Sequence, residues 1–341
     1  MVSFYLYNMK KLFLFFTLFS GFTAITQSQD VKELQENAKA YTRQGDYDNA
    51  AILLIKALEQ SPSDLGIAKD LALNYYYKKE NTKALETITP LLNRPDVDDQ
   101  SFQIAGNIYK ALEKQKDAEA LYKKALKKFN KSGALYNEYG ELLSSMQNAS
   151  AISQWEKGIE TDPGYPGNYY NAAKYYYFTT DKIWSIIYAE IFINIEPLSA
   201  RTTEVKSVLL DGYKKFFSDN LLTNLESKNK FEQAFIQSMN KSNAIAANGI
   251  NAESITMIRT RFVLDWFDKY AAKFPFKLFE YYQQLLREGL FPAYNQWTFG
   301  ATENLMAYQD WTNTHATEYS DFSNFQKGRI FKVPTGQYYH K

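Results

Sequence analysis

The chain is 341 residues long, with 45% hydrophobic and 23% charged residues, a globular balance that excludes wholesale disorder and leaves room for about two domains. Lys and Arg number 39 against 38 Asp and Glu, a formal net charge of +1, so the basic excess that nucleic-acid binding demands is missing. There is no cysteine, which excludes disulfides, thiolate metal sites, a cysteine nucleophile and a lipid-modified cysteine anchor.

Residues 1–28 read as an address. Lys10 and Lys11 precede an apolar run from Leu12 to Ile25, and the small residues Ala24 and Thr26 then mark a cleavage site before Gln27 or Gln29. The run is too short to span a bilayer, which needs about 20 residues. Residues 1–8 read as an extension upstream of a start at Met9. The expectation is an exported protein, periplasmic or secreted, that is not a lipoprotein and keeps no transmembrane segment.

From 31 to 197 the chain repeats itself. Leu34, Ala38 and Tyr41 fall at helical spacing, Gln44 to Asn49 read as a turn, and Ala50, Leu54, Ala57 and Leu58 resume the spacing until Pro62 ends it. Thirty-four residues on, Ala50 becomes Ala84, then Ala118, Ala151 (one short) and Ser185. Tyr41, Tyr75, Tyr109, Leu143 and Tyr176 share a second register. Ala38, Ala72, Gly106, Gly140 and Ala173 share a third. Small residues at fixed offsets let two helices cross closely, and large residues fill the space between hairpins. Such hairpins are marginal alone and need stacking.

This pattern resembles the tetratricopeptide repeat (TPR) family over residues 31–197, in five units. Phe102, Gly106, Tyr109, Ala118, Tyr122 and Ala125 carry the likeness in the third unit, and Tyr136, Gly140, Ala151, Trp155, Gly158 and Pro163 carry it in the fourth. The resemblance implies an all-α, TPR-type helical-hairpin solenoid whose first helices line a concave groove for an extended peptide. The groove positions would then be Lys39, Arg43, Lys69, Tyr76, Tyr77, Asn107, Lys110, Asn137, Tyr170, Lys174 and Tyr177. Cations, amides and tyrosines suit carboxylates, peptide backbone and flat apolar groups in turn. Each tyrosine run, 75–77 and 175–177, should place one ring in the core and another toward the groove.

After Pro197 the period is lost. Val205, Leu209, Tyr213 and Phe216 read as a capping helix within 198–222. Residues 231–341 read as a smaller aromatic-rich helical domain, with 21 aromatic residues from 261 onward. Ile255 to Tyr270, Phe276 to Leu286, Leu305 to Trp311 and Tyr319 to Phe325 keep helical spacing. The tail from Arg329 reads as extended or loosely docked around a Pro334-Thr335-Gly336 turn.

No catalytic or phosphate-binding motif is present, and His315 and His340 stand alone in the sequence. Asp265 with Asp268, and Glu303 with Asp310, are the carboxylate pairs that glycoside chemistry would require. The expected function is a non-catalytic, exported scaffold that holds a protein or peptide partner, with no cofactor, no metal and no nucleic acid. Two alternatives use other surfaces. One is a structural subunit of an envelope complex. The other is a glycan-binding or carbohydrate-active C-terminal domain, with Trp297, Tyr308 and Trp311 stacking on the sugar.

Overall fold

The computed structural model describes residues 31–218, 225–226 and 228–340, so the expected leader at 1–28 lies outside the described residues. Every regular element among them is helical. Contacts divide the chain into two compact units that part between Ala125 and Leu126.

In the first unit, α1 (31–44), α2 (Tyr47–Gln60), α3 (Leu65–Tyr77), α4 (Asn81–Ile88), α5 (Asp99–Ala111) and most of α6 (Gln115–Lys128) form three hairpins. Pro90 lacks the N–H that would continue α4, and the chain tightens there into a 3-10 turn over Thr89–Asn93. Asp46, Asp64 and Asp98 cap α2, α3 and α5, each accepting a backbone N–H three residues on. Ala38, Ala50, Leu54, Ala57, Ile67 and Leu71 pack into the core of the first hairpins.

The second unit begins with two further hairpins, α7 (Gly133–Ser145) with α8 (Ala151–Thr161) and α9 (Pro166–Tyr177) with α10 (Lys182–Ile195). α11 (Ala200–Ser218) packs on α9 and α10. After it come α12 (Lys230–Asn240), α13 (Asn243–Ala246), α14 (Ala252–Lys269), α15 (Lys277–Arg287) and α16 (Phe291–Asn295). A π-helix over Gln296–Gly300 leads into α17 (Ala301–Glu303), α18 (Leu305–Thr314) and α19 (Ala316–Lys327).

The 34-residue period is visible in the backbone. Gly45, Lys79, Glu113 and Gln147 each sit at a hairpin turn, and all four adopt positive φ, between 55° and 79°. The residue after each donates its N–H back across the turn to Tyr41, Tyr75, Tyr109 and Leu143, at 2.9–3.0 Å. This is the Schellman closure, which satisfies the last carbonyls of a helix and favours glycine at the left-handed position. Only the first hairpin has glycine there. The fifth turn departs, since Asp181, the equivalent position, has φ −91°.

The small-residue register has a direct cause. The space beside Gly106 holds the Tyr122 side chain, and the space beside Gly140 holds the Trp155 indole. Both aromatics are buried. In the fifth hairpin Ser185 replaces alanine and donates its hydroxyl to Ala173 O at 3.0 Å, so the exchange leaves no polar atom unpaired.

Two expectations need correction. The period does not end at Pro197. Tyr170 and Tyr177 on α9 donate to Glu204 and Asp211 on α11, each partner 34 residues on, so α11 takes the place of a sixth first helix. Nor is the tail loosely docked. Val333 is buried, Tyr339 stacks on Phe231 at 4.6 Å between ring centroids, and Tyr338 donates to Glu156 at 2.6 Å.

The aromatic-rich helices share the second unit with the last repeats. Phe231, Phe262, Trp266 and Phe279 form one cluster of ring contacts. A fully buried ion pair joins α10 to α14, Glu190 with Arg259. Tyr294 donates to the same Glu190 oxygen at 2.7 Å, and Arg259 also donates to Asn295. Lys206 on α11 reaches the π-helix, donating to Trp297 O at 2.6 Å with its ammonium 3.6 Å from the indole centroid. Among the described residues no carboxylate pairs with it, and burial lowers its pKa to about 7.

Three outcomes follow. Gly140→Ala drives a methyl into the Trp155 ring and should cost about 1–3 kcal/mol in a denaturant titration. Gln147→Gly removes a left-handed side chain at an exposed turn and should stabilise by up to about 1 kcal/mol in the same measurement. Lys206 has a depressed folded pKa, so its contribution is full above pH 10.5 and is lost as pH falls through about 7. Wild type should therefore gain stability relative to Lys206→Met between pH 7 and 10, read from paired melts.

Candidate functional site

In the first unit, α1, α2 and α3 enclose a cleft of about 520 Å³. Lys39, Thr42 and Arg43 come from one turn of α1, Tyr47 and Leu54 from α2, and Asp70, Leu73, Asn74 and Tyr77 from α3. Leu54 and Leu73 form apolar wall, and the Tyr47 and Tyr77 rings lie 6.0 Å apart.

The walls are held by polar bonds between helices. Asn74, almost fully buried, donates to Tyr47 O at 2.8 Å and accepts from Thr42 at 3.4 Å. Gln35 donates to Asp70 at 2.7 Å, which fixes α1 against α3. Among the described residues Lys39 pairs with exposed Glu36 alone, at 3.1 Å, a contact worth a fraction of a kcal/mol to about 1 kcal/mol. Arg43 is exposed at the rim. The cleft thus offers two cations, one carboxylate already engaged by Gln35, one ring pair and an apolar wall within one hairpin and a half.

The other groove positions fall into different settings. Lys69 bonds Asp98 and Gln100, so its charge ties α3 to the start of α5. Tyr76 is half-buried beside Tyr77, and Asn107 and Lys110 are half-buried on α5, outside the cleft. In the second unit Asn137 is buried, donates to Glu141 and accepts from Asn171, both at 2.9 Å. Lys174 pairs with Glu204 at 2.6 Å and donates to the Tyr170 hydroxyl at 3.0 Å. Tyr177 faces Asp211 and lies under Lys215, whose ammonium is 3.8 Å from the ring centroid. Lys39, Arg43 and Tyr77 are therefore the predicted positions that line the cleft. The tyrosine runs divide by face: Tyr75 packs on the first core and Tyr77 is exposed, while Tyr176 is buried and Tyr177 is half-buried.

The aromatic trio expected to stack on a sugar is split. Trp297, half-buried, packs on Tyr294 and Phe322. Tyr308 and Trp311 line a separate cleft of about 280 Å³ with Gln296 and Glu303. Asp265 is paired with Lys241 and Lys269 and accepts from Ser238; burial opposes these contacts, but together they hold its pKa down at about 2. A carboxylate held that low cannot serve as a general acid near neutrality.

A further constellation joins distant segments. Buried Glu156 on α8 accepts hydroxyl protons from Tyr176 at 2.8 Å, Tyr188 at 2.8 Å and Tyr338 at 2.6 Å. His340 Nδ1 lies 3.5 Å from the Glu156 oxygen that accepts from Tyr176. Burial pushes the carboxyl upward, and the nearby imidazole and the three hydroxyls act against that rise. The 182 residues between Glu156 and Tyr338 hide this cluster from any local motif.

No family model and no curated protein matches the chain. Solved structures that resemble it include a thermophilic TPR protein of Thermus thermophilus (16% identity, 53% of this chain and 99% of that one, TM-score 0.45). Another is a tetratricopeptide repeat protein from Parabacteroides merdae (14% identity, 75% of this chain and 98% of that one, TM-score 0.41). A third is YrrB, described as a TPR protein with an unusual peptide-binding site (19% identity, 53% and 97%, TM-score 0.36). The TPR-type fold of this chain rests on its own geometry: hairpins closed at a 34-residue period, with small residues under large rings.

Proposed function

We propose that this protein is an exported, non-catalytic scaffold that holds an extended, acidic and partly aromatic protein segment in the cleft of α1–α3. One observation carries the reading. At this cleft Lys39 and Arg43 border an apolar wall and a tyrosine pair, whereas Lys69 and Lys174 are engaged by Asp98 and Glu204 of this chain. A cation tied to a neighbouring helix adds little for a partner, since it must first lose that contact, whereas the exposed pairing of Lys39 with Glu36 on its own helix is weak and gives way. Cations at a rim steer an acidic segment inward, and flat rings give contact area at small entropic cost. The near-neutral chain as a whole favours a protein partner over nucleic acid. Export is inferred from the Lys10-Lys11 pair and the apolar run after it.

The test is charge reversal. Lys39→Glu with Arg43→Glu should leave the fold intact, because both side chains lie at the surface of α1. Affinity capture with wild type and variant in parallel should show the partner set lost from the variant, and isolated partner peptides should bind it at least tenfold more weakly by titration calorimetry. An unchanged partner set overturns the reading. A second reading is favoured by the 280 Å³ cleft, where Tyr308 and Trp311 stand beside Glu303 as a sugar platform would. Glycan-array binding that Trp311→Ala abolishes would establish it, and an array without binding removes it.

A further inference from the structure

The segment from Ile330 to His340 crosses the second unit as a strap without helix or strand. Val333 is its one buried residue, and Pro334 to Gly336 are exposed, with Gly336 turning the chain at φ 93°. Beyond that turn the strap is held almost entirely by side chains. Gln337 accepts the Lys277 N–H at the start of α15, at 2.6 Å. Tyr338 donates to Glu156. Tyr339 lies flat on Phe231, donates its hydroxyl to Pro275 O at 2.8 Å, and accepts from Asn229 through its carbonyl at 2.9 Å. His340 meets the Tyr176 hydroxyl at 3.1 Å and sets its ring edge-on to Trp184 at 4.9 Å.

The surface beneath is built by α8, α9, α10, α12 and α15, which contact one another independently of the strap. Glu156 keeps Tyr176 and Tyr188 as donors, and Trp184 keeps Glu232, at 2.8 Å, as its acceptor. Its chemistry is specific. A buried carboxylate takes a hydroxyl donor, the face of Phe231 that Tyr339 covers takes a second flat ring, and Glu156 with Tyr176 takes an imidazole or cation. Side-chain pockets at successive positions along an extended backbone are how peptide sites read sequence.

We infer that this cradle of Glu156, Tyr176, Trp184, Phe231 and the α15 start is a peptide-binding site. Its ligand is an extended segment with two adjacent tyrosines followed by an imidazole. The resident ligand is the chain's own strap, and the same segment of a second copy takes its place when the strap leaves. The cradle is built from residues of the second unit and the α1–α3 cleft from residues of the first, so Lys39→Glu with Arg43→Glu changes none of the cradle's residues and the two readings fail independently.

The resident strap competes at an effective concentration of about millimolar, which masks the site in the wild-type chain. The experiment is fluorescence anisotropy with a labelled synthetic peptide of residues 330–340, titrated into full-length chain. Tyr338→Ala with Tyr339→Ala should bind the peptide at least tenfold more tightly than wild type, and adding Glu156→Ala should reverse that gain. Circular dichroism melts verify folding. Should the double variant not fold, Tyr338→Phe, which removes only the hydroxyl, should still raise the peptide's affinity over wild type. Equal binding to wild type and the folded strap variants, absence of binding to those variants, or affinity indifferent to Glu156→Ala overturns the proposal.

Discussion

The close approach of the two helices within each hairpin is the constraint on which the rest depends. Gly106 and Gly140 have no side chain because Tyr122 and Trp155 occupy that space. Exchanging the two sizes across the contact would leave a void on one side and a clash on the other, each worth about 1–3 kcal/mol or more. Once the crossing is fixed, the turn must reverse the chain in very few residues. The same left-handed residue then recurs at 45, 79, 113 and 147. The backbone strain at Lys79, Glu113 and Gln147 is tolerated because the Schellman bonds and the packed crossing hold it.

Charge is deployed differently in the two units. In the first, Lys39 and Arg43 stay at the edge of a cleft. In the second, the equivalent face is laced by its own partners, Tyr170 and Lys174 to Glu204 and Tyr177 to Asp211. α11 therefore serves as a capping helix by electrostatics as well as by burial. Its acids fall 34 residues after the tyrosines they bind. Val205, Leu209 and Tyr213 meanwhile cover the apolar face that a terminal hairpin would leave wet.

Much of the repeat fold was legible in the sequence, because hydrophobic period and small-residue spacing are local signals that stacking amplifies. The continuation into α11 was not, since Glu204 and Asp211 carry the register in polar residues while the apolar pattern drifts. The candidate cleft was half legible. Lys39, Arg43 and Tyr77 follow from their phase on α1 and α3, but nothing local tells that Lys69 is taken by Asp98 or Lys174 by Glu204. His340, alone in the sequence, meets Glu156 only through the fold. That the tail is extended was legible, but its anchors were not, because they reach partners more than 50 residues away and periodicity cannot register such contacts.

The abundance of tyrosine, 27 residues against 24 phenylalanines, finds a physical reason in the second unit. Burying a carboxylate among apolar helices is costly unless donors surround it. Glu156 receives three tyrosyl hydroxyls, and Glu190 receives Tyr294 beside Arg259. Each tyrosine fills core volume as phenylalanine would and also delivers a proton donor at the ring's far end. Serine could supply the donor but not the volume, and lysine would add a second charge to desolvate. In a chain without cysteine, such carboxylate–tyrosine nodes give directional bonds that join α8 to α9, α10 and the strap, and α10 to α16. Apolar contacts tolerate sliding; a hydroxyl aimed at a single buried oxygen does not, so these nodes set the register in which the aromatic helices meet the last repeats.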